Sequence, residues 1–356
     1  MKKINLILVI LVVLLTSFGL LMIHDASSFV AFRDFSDKYH YIKEQAFWSI
    51  IGFSMLYFFS RFNYKRLYGL ALPLILVSIV LLILVFIPGI GVYLLGARRW
   101  INLGFTVIQP SEFVKLSLAI YLAAWLSTKE KGRLAAFLLL LGLIFFLVIL
   151  EPDMGTASII LIEAIALYFL SGASLSHLFY TIPPIIILGF LLIQTSPYRA
   201  KRLAAFLNLN QSLDQYSYHV KQILIALGSG GLIGVGIGNS LQKYAYLPEN
   251  TTDSIFAIVA EEVGFLGSVG VILLFLFLIW IGFTIAMRAK DNFGKLLAGG
   301  ITTYFAAQVI INLAAQTALI PLTGIPLPFI SYGGSALIMN MVSIGILLNI
   351  SKQGED

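Results

Sequence analysis

The chain has 356 residues, of which 59% are apolar and only 11% are charged, and its formal net charge is +6. A soluble domain has about 25% charged and roughly 45–50% apolar residues, so this composition excludes a soluble protein and indicates an integral membrane protein. The basic residues lie in short loops between apolar runs, which argues against nucleic-acid binding, and the lack of cysteine excludes disulfides and cysteine metal sites.

The first apolar segment, at about residues 4–23, follows two lysines. Signal peptides have an apolar region of about 7–15 residues followed by a small-residue cleavage site. The sequence His-Asp-Ala-Ser-Ser after this segment resembles such a site, but about 20 apolar residues are enough to cross a bilayer. We therefore predict an uncleaved first transmembrane helix.

Further apolar runs of spanning length recur along the chain. Together with the first, they lie at about residues 4–23, 43–60, 69–90, 111–127, 134–150, 154–170, 175–194, 254–287, 297–320 and 333–350. A glycine-rich run at 223–238 is predicted to be a loop or re-entrant element, because if it spanned the membrane all later segments would change sides. The prediction is an all-α, polytopic membrane protein with about ten transmembrane helices in a single domain of residues 1–356.

Basic residues predict the orientation, because cytoplasmic loops are enriched in Lys and Arg. With the N-terminus inside, the basic residues of the predicted cytoplasmic segments are Lys2, Lys3, Arg61, Lys65, Arg66, Lys129, Lys131, Arg133, Arg288, Lys290, Lys295 and Lys352. Both termini are then cytoplasmic, and a large outer loop at about 195–253 lies between the seventh and eighth helices. The motif-like stretches 96–116, 151–157, 246–253 and 324–335 all fall outside, so we expect function at the outer membrane surface.

The stretch 96–116 contains two groups of candidate residues. Arg98 and Arg99 have no acid beside them and suit a phosphate, either of lipid headgroups or of a specific diphosphate, while Trp100 is typical of a membrane interface. Glu112 and Lys115 open the predicted fourth helix three residues apart, which predicts a surface ion pair.

A second possibility for Lys115 is a pair with Asp253 across two helices, because both are predicted at the same level of the membrane. Such a pair would hold the aspartate ionised.

Four carboxylates gather around the predicted start of the eighth helix. Asp253 suits a helix N-cap, but Thr252 beside it can also cap, and a carboxylate near the bilayer surface can instead accept a proton from a sugar hydroxyl. Glu249 precedes the helix and is expected to be solvated. Glu261 and Glu262 lie about two turns deeper, where at least one must face a protein interior or a wet cavity, in a structural or a direct role.

The stretch 324–335 reads Gly-Ile-Pro-Leu-Pro-Phe-Ile-Ser-Tyr-Gly-Gly-Ser. Its prolines forbid continuous helix and its glycines permit tight turns. It predicts a re-entrant loop in which Ser331 and Tyr332 add hydrogen-bond donors to an outer cavity.

The motifs GARRWINLG…QPSEFVKL, EPDMGTA, GVGIGNSLQKYAYLPENTTDSIFAIVAEEVGFLG and GIPLPFISYGGS together resemble the SEDS family (shape, elongation, division and sporulation). The resemblance covers nearly the whole chain, with the motifs in order. Members are bacterial membrane peptidoglycan glycosyltransferases of the FtsW, RodA and SpoVE type, with ten transmembrane helices and a large outer loop. The segment GIGNSLQK is more similar to the division or sporulation branch, which includes FtsW.

The resemblance implies polymerisation of lipid II into glycan strands, with inversion, at the outer face of the cytoplasmic membrane. The family's essential aspartate falls at Asp253, its tryptophan at Trp100, and its acid and lysine at Glu112 and Lys115. The usual histidine before Thr-Asp is Thr251 here, which argues against a histidine base at this place and leaves Asp253 as the predicted general base.

The remaining expectations concern ligands and partners. Lipid II accepts a strand carried on undecaprenyl pyrophosphate, and Arg98 and Arg99 would offset the diphosphate charge. A divalent cation, Mg²⁺ or Mn²⁺, would bind with Glu249 as a helper, although no dedicated metal cage is visible. Further supporting candidates are Thr252, Glu261 and Ser331. The expected partner is a cognate class B penicillin-binding protein, a transpeptidase.

Two alternatives to an enzyme stay open. One is a lipid II flippase and the other is a non-catalytic scaffold for the penicillin-binding protein. A flippase needs a polar path between leaflets, whereas the charges here concentrate near the outer side, with Glu163 as the deep exception. That distribution favours an enzyme of the outer face.

Overall fold

The computed structural model describes residues 2–94, 96–104, 106–128, 132–174, 176–207, 215–244 and 246–354. Within these residues the chain forms twelve helices and one small sheet. The elements are α1 (Lys2–Phe35), α2 (His40–Arg61), α3 (Lys65–Leu84), β1 (Gly91–Leu94), β2 (Ala97–Asn102), β3 (Val107–Ile108), α4 (Pro110–Leu126), α5 (Leu134–Leu150), α6 (Met154–Leu170), α7 (Ser176–Gln194), α8 (Pro197–Leu207), α9 (Gln215–Ser229), α10 (Ile255–Arg288), α11 (Asn292–Gln316) and α12 (Gly334–Gln353).

Each of the ten predicted spans coincides with one of these helices, α1 to α7 and α10 to α12. By length and apolar composition α1, α3, α10, α11 and α12 can each cross a membrane, and α7 with α8 passes the same test as one broken span. Helices α5 and α6 are apolar but shorter, with 17 residues each. The predicted helical, multi-pass architecture is confirmed.

Helices α11 and α12 form the centre of the bundle. In the most apolar 18-residue stretch of each of these helices, 72% is buried inside the protein, compared with 28% in α3. Helix α3 therefore lies at the periphery, with most of its surface available to lipid. Helix α11 packs against α4, α6 and α10, and α12 packs against α2. Polar side chains on α11 are consequently sealed between other helices.

A small antiparallel sheet, which the sequence analysis did not predict, connects α3 to α4. Strand β2 pairs with β1 through Trp100 and Val92, and with β3 through Ile101 and Ile108. Gly96, between β1 and β2, has a φ of 79°, in the left-handed region that glycine adopts readily. The strands are two to six residues long, too short for an alternating pattern to stand out in the sequence.

The predicted outer loop between α7 and α10 is largely helical. Helices α7 and α8 meet at a bend of 98°, and Pro197 begins α8, as expected because proline disfavours helical backbone in the residue before it. Helix α9 packs against α8 and α10. Residues 208–214 and 245 of this loop lie outside the described residues, as do Lys129 and Lys131 of a predicted cytoplasmic loop.

The glycine-rich run predicted at 223–238 begins as helix, because α9 extends to Ser229. Only the part after Ser229 is the predicted loop, and it packs against a break in α10. The break occurs at Gly264, whose φ of 69° and ψ of −169° are not helical. Four backbone hydrogen bonds of 2.9–3.1 Å join the two segments: Val235 to Glu261, Gly236 to Glu262, Phe265 to Gly231 and Leu266 to Leu232. The backbone groups freed by the break are thus satisfied by protein, as a membrane environment requires.

Candidate active site

A cavity of about 850 Å³ opens at the end of the bundle where α10 begins. Ligand pockets commonly measure about 300–1,000 Å³. Its charged and aromatic lining residues include Lys43, Glu44, Trp48, Arg99, Trp100, Tyr198, Arg202, Glu249, Asp253 and Tyr332. These residues come from α2, the sheet, α8 and the segments before α10 and α12, so the cavity unites parts of the chain that are far apart in sequence.

Asp253 lines this cavity and is 8% exposed. The capping role considered for Asp253 is wrong, because the N-cap residue of α10 is Ser254. The Asp253 carboxylate instead accepts a hydrogen bond of 3.4 Å from the hydroxyl of Thr252, which also lines the cavity. The carboxylate is therefore not committed to the helix and faces the space where a ligand would lie.

Two neighbours set the charge of Asp253. Burial and the adjacent carboxyl of Glu249 raise the pKa of Asp253 well above its usual range, and the guanidinium of Arg202 opposes this shift. Glu249 has a φ of 50°, a strained conformation for a residue other than glycine, so the surrounding structure imposes its place beside Asp253. A carboxyl group whose pKa is raised towards the working pH suits general-base catalysis.

Arg202 is a cation of the site that the sequence analysis missed. It lies on α8, and its guanidinium donates to the carbonyl of Leu322 at 3.0 Å. The guanidinium carbon lies 4.5 Å from the ring centre of Tyr198 and 5.8 Å from that of Tyr216. The local sequence around Arg202 does not indicate a function, because Arg202 comes near Asp253 only through the bend between α7 and α8.

The two arginines predicted to bind phosphate have different environments. Arg99 lines the cavity, and its guanidinium donates to the carbonyls of Glu151 at 3.0 Å and Pro152 at 2.6 Å. Trp100 lines the cavity beside it. Arg98 is exposed and is not a cavity-lining residue. The structure therefore brings Arg99 and Trp100, but not Arg98, to the candidate site.

Lys115 does not pair with Asp253, so that possibility is wrong. Its ammonium donates to Glu112 at 2.8 Å and to Gln308 of α11 at 2.9 Å. The side chains of Lys115 and Glu112 are 2% and 3% exposed, so the predicted surface ion pair is a buried one. The ion pair lies within α4, and the hydrogen bond from Lys115 to Gln308 is what links α4 to α11. Removing either charge would leave the other buried and unpaired, which is strongly destabilising.

Glu261 and Glu262 hold the segment that leads from the glycine-rich loop to Asp253. The Ser240 hydroxyl donates to Glu261, and the Ser240 amide donates to Glu262 at 3.2 Å. Lys243 lies 3.4 Å from Glu262 and 2.8 Å from Asp25 of α1. Both glutamates are buried outside the cavity lining, which favours the structural alternative for each.

Ser331 stabilises the loop before α12. Its buried hydroxyl accepts a hydrogen bond from the amide of Leu327 at 2.7 Å, and it is not a cavity-lining residue. Tyr332 does line the cavity. Its amide donates to the carbonyl of Thr251 at 2.9 Å, and its hydroxyl donates to Glu44. The predicted re-entrant loop thus contacts the Asp253 segment directly.

His219 of α9 is a second residue that the sequence analysis missed. Its Nε2 atom lies 2.7 Å from the hydroxyl of Ser254, directly after Asp253. Burial lowers the pKa of His219 to about 4, against an opposing effect of Glu249, so the imidazole is neutral near pH 7. It is not a cavity-lining residue, so its contact with Ser254 supports the segment and does not make it the base.

Glu151 provides a prediction on stability. Neither of its buried carboxyl oxygens has a hydrogen-bond partner among the described residues. Burial raises the pKa of Glu151 from 4.5 to about 9; the nearby Asp153 adds to this increase, and Arg99 opposes it. The pKa of Glu151 is higher in the folded protein than in the unfolded chain, so protonation of Glu151 favours folding. This contribution to stability is complete below about pH 4.5 and is lost as the pH rises through about 9.

We expect Glu151→Gln to match the parent at pH 5 and to exceed its thermal midpoint by about 5 °C at pH 9. Thermal unfolding of the purified protein in detergent at both values measures this. The exposed Glu44→Gln is the control, and an equal response of the two variants at pH 9 would contradict the buried-acid explanation.

Comparison with known proteins decides the family. The family profile described as a cell cycle protein, which covers FtsW, RodA and SpoVE, matches residues 5–356. The chain belongs to the FtsW/RodA/SpoVE family. The resemblance seen in the sequence motifs is therefore confirmed.

Named relatives cover almost the full length of this family member. It is 41% identical to stage V sporulation protein E of Bacillus subtilis over 355 residues, which is 98% of this chain and 97% of the relative. It is 39% identical to the probable peptidoglycan glycosyltransferase FtsW of Trichlorobacter lovleyi, over 98% of this chain and 93% of the relative.

Solved structures of FtsW/RodA/SpoVE-like proteins share the fold. One chain, from a peptidoglycan synthase complex described as coordinating polymerization and crosslinking, has a TM-score of 0.82 at 27% identity and covers 97% of each chain. The rod shape determining protein RodA of Thermus thermophilus has a TM-score of 0.72 at 27% identity, over 98% of this chain and 97% of that one.

Proposed function

We propose that the chain is an inverting peptidoglycan glycosyltransferase that polymerises lipid II, with Asp253 as the general base. The observation that carries the proposal is the arrangement of Asp253, Glu249 and Arg202 at one cavity of about 850 Å³. It combines a proton acceptor with a cation at the end of a membrane bundle. The relatives named peptidoglycan glycosyltransferase support the reaction class.

In the proposed reaction the 4-hydroxyl of the N-acetylglucosamine of lipid II attacks C1 of the N-acetylmuramic acid that ends the growing strand. The new bond joins that oxygen to C1, while the bond from C1 to the phosphate oxygen breaks. Undecaprenyl pyrophosphate leaves with the electron pair, and the hydroxyl proton passes to the Asp253 carboxylate. Attack from the face opposite the leaving group inverts the configuration.

The negative charge that develops on the departing diphosphate requires fixed cations. Arg202 and Arg99 both line the cavity, and each is held by hydrogen bonds to backbone carbonyls, so their guanidinium groups are already oriented. They replace the predicted pair Arg98 and Arg99 in this role. Glu112 and Lys115 do not line the cavity; Glu112 pairs with Lys115 within α4, and Lys115 links α4 to Gln308 of α11.

A divalent cation, Mg²⁺ or Mn²⁺, is part of the proposal. In the described residues no three His, Asp or Glu side chains form a metal cluster, but magnesium commonly binds through one or two carboxylates together with substrate phosphates. Glu249, which lines the cavity beside Asp253, fits that pattern and would hold the ion together with the substrate diphosphate. When bound, it would neutralise charge on the diphosphate.

We place the cavity on the extracytoplasmic side, with both termini in the cytoplasm. The basic residues of the short connections that begin α3 and α11 lie at the opposite end of the bundle, as cytoplasmic residues should. The proposed partner is a cognate class B penicillin-binding protein, a proposal supported by the similarity to a chain of a synthase complex that polymerises and crosslinks.

The test is a single proteoliposome experiment that measures polymer formation and headgroup translocation from the same purified lipid II. Product without translocation supports the proposed enzyme. Translocation without product would instead identify a flippase, and neither signal, with or without the candidate transpeptidase, would identify a scaffold. Addition of a chelator in the same assay tests the divalent cation, whose removal should reduce polymerisation.

Arg202 and Arg98 form a matched pair for the diphosphate assignment. We expect Arg202→Ala to lower the rate of polymerisation by about 10²-fold, as for other groups that stabilise charge in a transition state, and Arg98→Ala to change it less than about threefold. Initial rates with purified lipid II measure both. Equal losses in the two variants would show that the cavity geometry does not select the phosphate-binding arginine.

A further inference from the structure

Helix α11 carries three buried amide side chains on one face. Gln308, Asn312 and Gln316 are four residues apart, so they project from the same side of the helix, and their exposures are 0%, 2% and 1%. A buried amide is unfavourable unless its polar atoms are bonded. The partners of these amides therefore show what the face is built to hold.

Asn312 joins two walls of the candidate active site. Its Nδ2 atom donates to the carbonyl of Asp253 at 3.0 Å and to the carbonyl of Ile325 at 2.7 Å. Ile325 lies between Gly324 and Pro326, which both line the cavity. A Cβ atom added at Gly324 would lie 3.8 Å from the Asp253 carboxylate, so the two walls approach each other at the proposed base itself.

Gln316 determines which way the Asn312 amide points. Its Nε2 atom donates to Asn312 Oδ1 at 2.7 Å, and its Oε1 atom accepts the backbone amide of Ala257 at 2.8 Å. That amide lies in the first turn of α10 and also donates to the carbonyl of Ser254 at 3.0 Å. Because the Ala257 amide can only donate, the orientation of both side chains is set, and both Asn312 donors must face the two carbonyls.

Gln308 extends the same arrangement below the cavity. Its Nε2 atom donates to the carbonyl of Pro326 at 2.8 Å, and its Oε1 atom accepts from Lys115 at 2.9 Å. The loop before α12 is thus held at two consecutive carbonyls by two amides of one helix. A shift of Asp253 relative to this loop would break the bonds of a side chain that is sealed in the bundle.

We propose that Asn312 is a positioning residue that fixes the Asp253 carboxylate against the 324–326 loop for glycosyl transfer. The inference rests on the proposed function, because it assigns to Asn312 the geometry of the same reaction. Asn312 is below the cavity lining and acts through the main chain of Asp253. It contributes distance and direction, and no atom of it joins the reaction.

The first test replaces Asn312 by leucine, which has the same branching of heavy atoms but is larger and has no donors. We expect kcat for lipid II polymerisation to fall by about 10²-fold, because a misplaced catalytic group costs that much, while KM stays within about twofold. Hydrogen exchange should accelerate by about tenfold in peptides spanning 250–258 and 322–331, with residues 292–305 of α11 unchanged. Asn312→Asp, which keeps the shape but removes both donors when ionised, serves if leucine prevents folding.

Asn349 of α12 is the matched control. It is also a buried amide, and it donates to the carbonyl of Ser60 and accepts from the amide of Tyr64, at the opposite end of the bundle. Asn349→Leu should lower thermal stability comparably without changing kcat, and its exchange should accelerate near residues 60–64. Comparison of Asn312→Leu with Asn349→Leu thus distinguishes a positioning role of Asn312 from a general role in packing.

The outcomes for Asn312 and for the reaction are distinguishable. If the parent polymerises lipid II and both Asn312 variants keep kcat within about threefold of the parent, the positioning role is wrong. If the parent forms no glycan, the proposed function fails. In that case, unchanged hydrogen exchange of the Asn312 variants in the peptides spanning 250–258 and 322–331 would also show that Asn312 does not hold these two segments together. Loss of kcat with local loss of protection supports the inference.

Discussion

Asp253→Asn is expected to reduce polymerisation of purified lipid II by about 10²–10⁴-fold, the range by which general-base catalysis accelerates reactions. Asparagine has the same shape as aspartate but cannot accept the hydroxyl proton. Because Asp253 does not cap α10, the substitution removes no helix cap, and the main-chain bond to Asn312 remains possible. We expect unchanged yield and thermal midpoint, measured beside the initial rate.

A variant that keeps near-normal turnover would show that Asp253 is not the base. The pH profile provides a second measure, since Glu249 raises the pKa of Asp253. In Glu249→Gln the Asp253 pKa should fall, so the acidic limb of the rate profile should move to lower pH. In Arg202→Ala the same limb should move to higher pH, because Arg202 opposes the upward shift.

Gly234→Ala is expected to be the most destabilising single methyl addition in the glycine-rich loop. A Cβ atom at Gly234 would lie 2.1 Å from the carbonyl oxygen of Glu262, and the φ of 81° adds backbone strain. The loop cannot retreat without losing the hydrogen bonds that satisfy the break in α10. We expect a loss of about 3 kcal/mol in stability relative to the control below, measured as thermal midpoint and folded yield in detergent.

Gly231→Ala is the control for this prediction. Gly231 also has a positive φ, of 51°, but a Cβ atom there meets nothing within 4 Å. It should cost about 1–2 kcal/mol from the left-handed backbone alone. Equal losses in the two variants would mean that the close approach of the loop to α10 does not limit stability.

Local patterns predicted the helices well and the site only in part. The apolar runs predicted ten helices because spanning length and hydropathy are properties of contiguous residues. The prediction of an Asp253–Lys115 pair is wrong, because helix packing decides which charges meet. In the folded protein the Lys115 ammonium donates to Glu112 and Gln308 instead. The roles of Arg202, His219 and Asn312 depend on the bend after α7 and on the burial of α11, which no short motif records.

By itself the amino-acid sequence determined that this is a polytopic membrane protein of the FtsW/RodA/SpoVE family, and it predicted Asp253 as the general base. Tertiary structure alone decided that Asp253 faces a cavity beside Glu249 and Arg202, and that Asn312 holds its main chain. The physical reason is that hydropathy and motif spacing act along the chain, whereas burial, ion pairing and hydrogen-bond direction arise only when distant segments are packed together.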